Sequence, residues 1–454
     1  MKDEAPLPAR IGRYEIRGKV ADGGMAAVYV GRLSGPGGFE RLHALKVIRP
    51  SYSKDVEFVN MFLDEARIVA KLNHPNVVQI HELGEDEESG HKRLYIAMEL
   101  LLGESLWDMW HVARHRFEVE KAEGKKHPLG ATALPHDVVA WIGARVAEGL
   151  HHAHELKDAK GTPQKVVHRD INPSNVLVTY EGQVKIIDFG LAKALNRISE
   201  TGLGVLKGKV AYMAPEQARG AKDLDRRVDV FALGATLWEL TTDERLFKRK
   251  DQTETLAAVA NAEVRDPTTV VEGYSPALWE ILRKALAKDR EARYPTALDM
   301  ARELDAFSRS RGRVVTAATV AELMQELFGG EWERAAQWME AASSEEPPAE
   351  PLHMRRAPKE EGAEPRSSPS TPPPKPPVKT EPTLASPQDT SASATKAETP
   401  SGKKPKKEPS KVTAPKKDDA PNPLREEPTP TWQYVAAVAV IVVAVAMALY
   451  ASRF

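Results

Sequence analysis

Cysteine is absent from the 454 residues, which excludes disulfides and thiolate metal sites and fits a reducing compartment. Net charge is nearly absent too: 64 basic residues meet 65 acidic ones. With no global field, nothing argues for nucleic acid as a partner. The first eight residues, Met1 to Pro8, lack an apolar core, so no signal peptide is expected there. Proline is not scarce, at 34 residues, but it is unevenly placed, and the length leaves room for more than one domain.

What is present is organised around residues 166–190. Asp170, Asn175 and Asp188 follow one another there, and the β-branched runs Val176–Thr179 and Val184–Ile187 predict two short strands meeting at Glu181 and Gly182. Such a hairpin holds Asp170 and Asn175 on the loop before it and Asp188 on the loop after it. Two loops then converge on one point, as a metal–phosphate site requires. A single Asp-Phe-Gly would fit an acidic surface turn that binds nothing just as well. The full ordered set argues against that alternative.

The run from His168 to Asn175, followed by Asp188, Phe189 and Gly190, resembles the catalytic loop and metal-binding triplet of protein kinases. Over residues 12–307 the chain is similar to bacterial serine/threonine kinases of the eukaryotic-like (Hanks) type. The resemblance implies an α+β fold of two lobes, a small β-rich one with one helix and a large, mainly helical one. It implies Asp170 as the base for the substrate hydroxyl proton. It also implies Asn175 and Asp188 as ligands of the magnesium ions (manganese as the alternative) that bridge the phosphates of ATP.

Residues 11–50 alternate apolar runs with glycine-containing turns, as a small antiparallel sheet does. Val20 to Val28 resembles the family's glycine-rich loop imperfectly: Gly23 is kept, with Gly24 beside it, while Ala21 and Ala26 occupy the other two glycine places. Without a Cβ at Gly23 the backbone can approach phosphates closely, with Val20, Ala21 and Gly24 around it. Lys46 falls where the family has its phosphate-binding lysine. Helical spacing over residues 56–72 (Phe58, Met61, Phe62, Ala66, Val69, Ala70) places Glu65 as the lysine's partner. Leu94–Leu102, running into Gly103, looks like the hinge between the lobes. By resemblance, main-chain groups of Glu99 and Leu101 read adenine and Met98 guards a deeper pocket. Val28, Ala44 and Leu177 sandwich the ring, although plain core roles fit these three equally.

Residues 112–135 are strongly charged and read as an exposed insertion between two helices. His151, His152 and His154 follow on a helix expected at 137–155, but their spacing points them in different directions, against a metal site. Ala211 to Glu216 resembles the end of an activation segment, with Arg293 as the partner of Glu216 and Asp229 as the brace of the catalytic loop. Ser199 and Thr201 are the only hydroxyl residues between Gly190 and Tyr212. Because Arg169 precedes the catalytic aspartate, phosphorylation is expected at Thr201 first and Ser199 second. Two departures matter more. Asn172 stands where serine/threonine kinases carry a lysine, and Lys209 where they carry a threonine. Lys209, with Lys207 as second candidate, is expected to supply the missing positive charge to the transferring phosphate.

Helical spacing resumes over Leu278–Phe307 and Val320–Met339, the latter within a helical extension at 308–342. Residues 343–431 are rich in Pro, Ser, Thr, Lys and Glu and read as a disordered tether. Trp432–Tyr450 has no polar side chain from Val435 to Leu449 and reads as a transmembrane helix. Only four residues follow it, so no sensor domain is expected beyond. The reading is a membrane-anchored kinase, cytoplasmic in its catalytic part, acting on proteins not named by the sequence and forming a homodimer for phosphorylation in trans. Two alternatives stand beside it: an ATP-binding pseudokinase serving as a tethered scaffold, and a tether whose proline-rich segments recruit partners. Tyrosine specificity is also open, because the lysine that marks serine/threonine kinases is the one replaced.

Overall fold

The computed structural model describes residues 7–23, 26–49, 52, 56–88, 91–124, 132–189 and 209–344. Residues 345–454, with all but the first two residues of the tether expected at 343–431 and with the apolar run at 432–450, lie outside them. Among the described residues no helix is long and apolar enough to cross a membrane.

The first part of the chain alternates apolar and polar residues with period two, and it folds into six antiparallel strands. They are β1 (Arg10–Ile11), β2 (Tyr14–Asp22), β3 (Ala26–Ser34), β4 (Glu40–Ile48), β5 (Ile80–Glu88) and β6 (His91–Glu99), in the spatial order β1-β2-β3-β4-β6-β5. Helix α1 (Val56–Val69) lies between β4 and β5 in sequence. The alternation on β4 positions the site. Leu45 and Val47 join a core with Ile11, Tyr14, Tyr95 and Ala97 on one face. Ile48 packs with Phe62 and Ala66 of α1 on the other. Lys46 shares that second face, under the helix that bears Glu65.

A three-stranded sheet, β7 (Gly103–Ser105), β8 (Val176–Thr179) and β9 (Val184–Ile186), opens the second lobe. Helices α2 (Leu106–Ala122) and α3 (His136–His154) lie between β7 and β8 in sequence, and α4 (Pro215–Ala218), α5 (Arg227–Thr242), α6 (Gln252–Asn261), α7 (Pro276–Ala285), α8 (Ala297–Ser310) and α9 (Ala317–Ser343) follow β9. Every residue of α5 from Val228 to Thr242 is buried, so the other helices pack around it.

Two expectations are corrected. The charged run from residue 112 is not an insertion from its start, because α2 continues through it to Ala122. Ion pairs at helical spacing, Arg114 to Glu118 at 3.0 Å and Arg116 to Glu120 at 2.9 Å, accommodate the charge while Ala113 is buried. The apolar spacing over 278–307 breaks into α7 and α8. Pro295 disfavours helix at the residue before it.

Candidate active site

The catalytic stretch is built on one buried carboxylate. Asp229, at the start of α5 and wholly buried, accepts hydrogen bonds from the amides of His168 (2.8 Å) and Arg169 (2.7 Å) and from His154 Nε2 (2.8 Å). Burial alone would raise its pKa. The hydrogen bond from His154 and the remaining polar partners outweigh that and hold the carboxyl below its usual range. His154 is therefore structural, and among the described residues no cluster of three metal-binding side chains exists. Arg169 is held in the left-handed region at φ 67°, and its Nε is buried without a hydrogen-bond partner among the described residues.

Two side chains then fix Asp170. Asn175 Nδ2 donates to the Asp170 carbonyl at 2.7 Å and to Oδ2 at 3.0 Å. Asn172 Nδ2 donates to the same carbonyl at 2.8 Å and lies 3.3 Å from Oδ1, while its own oxygen accepts from the Ser174 amide at 3.0 Å. Asn172 thus caps the 3-10 turn Pro173–Asn175. Sequence reasoning treated Asn172 only as a missing cation. Its role as a buried amide bracing Asp170 was not visible, although Asn before Pro-Ser is a recognisable cap signal.

The two loops do converge. The Ile187 amide donates to the Asn175 carbonyl at 3.0 Å, and Val176 pairs with Ile186 across the hairpin. Gly182 closes the turn at φ 81°. Asp188 follows in the left-handed region at φ 59°, a backbone state that non-glycine residues hold only under constraint. Its Oδ1 receives Lys46 Nζ at 2.6 Å, with the lysine largely buried and the carboxylate 42% exposed. Lys46 therefore pairs across the cleft with Asp188. Glu65 lies on α1, and its side chain is outside what the structure describes. Lys46, Phe62, Ala66, Met98, Asp188 and Phe189 line one pocket.

None of the residues expected around adenine, Val28, Ala44, Glu99, Leu101 and Leu177, lines that pocket. Val28 pairs with Lys46 and Ala44 with Met98 in the sheet, and Leu177 pairs with Ser105 below it. Val20 and Ala21 lie on β2, but the Gly23 amide is committed to the Ala26 carbonyl at 3.0 Å, so that amide is tied inside the hairpin. Gly24 lies outside the described residues. At the hinge the Glu99 amide donates to the Gln79 carbonyl at 3.0 Å, and the Glu99 carboxylate accepts from the Gln79 amide at 2.8 Å and from Lys185 at 2.7 Å. Lys185 was missed, since 86 residues separate the partners and no spacing rule links them. Leu101 follows β6 and is half-buried. Arg293 grips Glu216 through two bonds, at 2.7 and 2.8 Å. Ser199, Thr201 and Lys207 lie outside the described residues. Lys209 begins a 3-10 turn, with its side chain outside the description.

The profile of the protein kinase domain matches residues 14–303. The chain belongs to the bacterial Hanks-type protein kinase family. Among the kinase's relatives, the tyrosine-protein kinase MasK of Myxococcus xanthus is 44% identical over 302 residues, which span 66% of this chain and 44% of MasK. The serine/threonine-protein kinase PrkC of Bacillus subtilis is 33% identical over 305 residues, 66% of this chain and 41% of PrkC. The match thus spans less than half the length of these relatives. The solved kinase domain of PknI from Mycobacterium tuberculosis is similar at 26% identity and a TM-score of 0.47, covering 66% of this chain and 99% of that one. A protein kinase domain uses ATP and a divalent cation. The donors present fit such a cation: Asp188 offers a carboxylate, and Asn175, its nitrogen committed to Asp170, offers an amide oxygen.

Proposed function

We propose that the kinase transfers the γ-phosphoryl group of MgATP to serine or threonine hydroxyls of proteins, including Thr201 and Ser199 of its own activation segment, in trans within a homodimer. The observation that supports this reading best is the carboxylate of Asp170, steadied by Asn172 and Asn175 and tied through Asn175 and Ile187 to the loop that carries Asp188. Asp170 accepts the hydroxyl proton as the substrate oxygen bonds to the γ-phosphorus and the bond to the β–γ bridging oxygen breaks, releasing ADP. Asn175 and Asp188 would hold magnesium, which when bound neutralises charge on the phosphates. Lys46 and Glu65 would set the α- and β-phosphates. Lys209, with Lys207 second, would supply the charge that Asn172 does not. Glu99 and Leu101 would receive adenine, between Val28, Ala44 and Leu177. The apolar run at 432–450 anchors the kinase to a membrane, with the catalytic domain on the cytoplasmic side.

A second reading, a tyrosine acceptor, is favoured by Asn172 and by the name of the relative MasK. The test is labelled MgATP incubated with the full chain, with Asp170→Asn and with Lys209→Ala, followed by mapping of the modified residues. Phosphate on Thr201 or Ser199 in the wild type alone supports the first reading, and phosphotyrosine supports the second. No incorporation with ATP still bound points to a scaffold. A fully active Lys209→Ala protein removes the charge assignment.

A further inference from the structure

Helix α9 touches both lobes. Its first half lies on the large lobe, where Val320, Leu323 and Met324 are buried and Glu326 pairs with Arg116 of α2 at 2.8 Å. Its first turn abuts the β8–β9 hairpin so closely that a Cβ on Gly182 would collide with the Ala317 carbonyl. At Phe328, fully buried at φ −135°, the backbone leaves the helical region, and Gly329 and Gly330 follow, so the helix bends there. The second half lies on the small lobe. The Trp338 ring, 8% exposed, covers Gly18 of β2, and a Cβ on that glycine would come within 2.7 Å of it. Arg32 of β3 donates to the carbonyls of Ser343 at 3.4 Å and Ser344 at 2.9 Å, closing the helix end.

Strand β2 is the strand that runs into Gly23. Its pairing with β3 slips twice, between Ile16 and Gly18 and between Lys19 and Ala21. The ladder alone therefore fixes the inclination of β2 weakly, and the contact with Trp338 falls at one of these irregularities. We propose that the second half of α9, through Trp338 on Gly18, is a positioning element for ATP, setting the end of β2 and Gly23 toward the nucleotide phosphates. This rests on the kinase reading. Trp338 acts through β2 and touches no substrate.

The test uses the full chain as wild type, Trp338→Ala, Trp338→Phe, Gly18→Ala and the Trp338→Ala/Gly18→Ala double variant. For each, the KM for ATP, the KM for an acceptor peptide, the affinity for a fluorescent ADP analogue and the melting temperature are measured. Trp338→Ala is expected to raise the KM for ATP about tenfold with the acceptor KM unchanged. Trp338→Phe retains most of the affinity. Gly18→Ala, which pushes on the same ring, resembles Trp338→Ala, and the double variant is no worse than either single one. An unchanged KM for ATP in a folded Trp338→Ala protein overturns the proposal. If that variant does not fold, unchanged ATP kinetics in Gly18→Ala overturn it equally. A wild type that transfers no phosphate defeats the kinase reading instead, and ADP affinity across the same variants then decides whether Trp338 positions the nucleotide.

Discussion

At Asp170 two amides approach the carboxylate, Asn172 near Oδ1 and Asn175 on Oδ2. Each meets a different oxygen, so the rotation of the Asp170 carboxylate about its own side-chain bonds is restrained by both. Removing the Asn172 amide also strips the Ser174 amide of its cap. Asn172→Ala is therefore expected to lower kcat by about tenfold or more while the KM for ATP moves by less than about twofold, as steady-state kinetics at varied ATP would show. A parallel rise in the KM for ATP would mean that the residue serves the nucleotide and not the base. An amide at this position was legible in the sequence, but its direction was not. Sequence order says that Asn172 lies two residues from Asp170, and only the turned backbone says that it points back at it.

At the scale of elements, the α4 region is tied to the segment before α8 by Glu216 and Arg293. The Arg293 side chain is fully buried, lies 4.8 Å from the Phe231 ring and also donates to the carbonyls of Ala287 and Arg227. Removing one partner of a buried, doubly bonded pair leaves a charge without compensation. Arg293→Ala is expected to destabilise the fold by about 3 kcal/mol in urea unfolding. Removing both partners should cost less than the sum of the single losses. The pairing was readable from the motif positions, 77 residues apart, because both ends sit in recognisable motifs. The course of α2 was not: a charged run suggests a loop by composition, and i,i+4 ion pairs suit the same residues to a helix.

At the scale of the molecule, half-buried histidines make folding sensitive to mild acid. Burial is the largest cause that pushes His74, His111 and His136 below their ordinary value of 6.5. The unfolded chain therefore takes up protons that the folded chain refuses. Stability is fully present above 6.5 and declines as pH falls through that value. Calorimetry of the full chain should show a lower melting temperature at about pH 5.5 than at about pH 7.5. An equal or higher melting temperature at the lower pH would mean that Glu148, Glu239 and Asp243, whose carboxyls burial pushes up and which therefore favour folding as pH falls, outweigh the histidines.

The sequence by itself determined the local elements and their order: the β8–β9 hairpin, the helix bearing Glu65, and the placing of Asp170 and Asn175 before that hairpin and Asp188 after it. These follow from period-two and helical spacing and from turn residues, which act between near neighbours. Tertiary structure alone decided three things. Lys46 meets Asp188 across 142 residues, Asn172 braces the base it was expected only to follow, and α9 bends at Phe328 to join the lobes. Each depends on where packed elements bring distant side chains, and burial of apolar surface drives that packing without encoding its partners in any short stretch of chain.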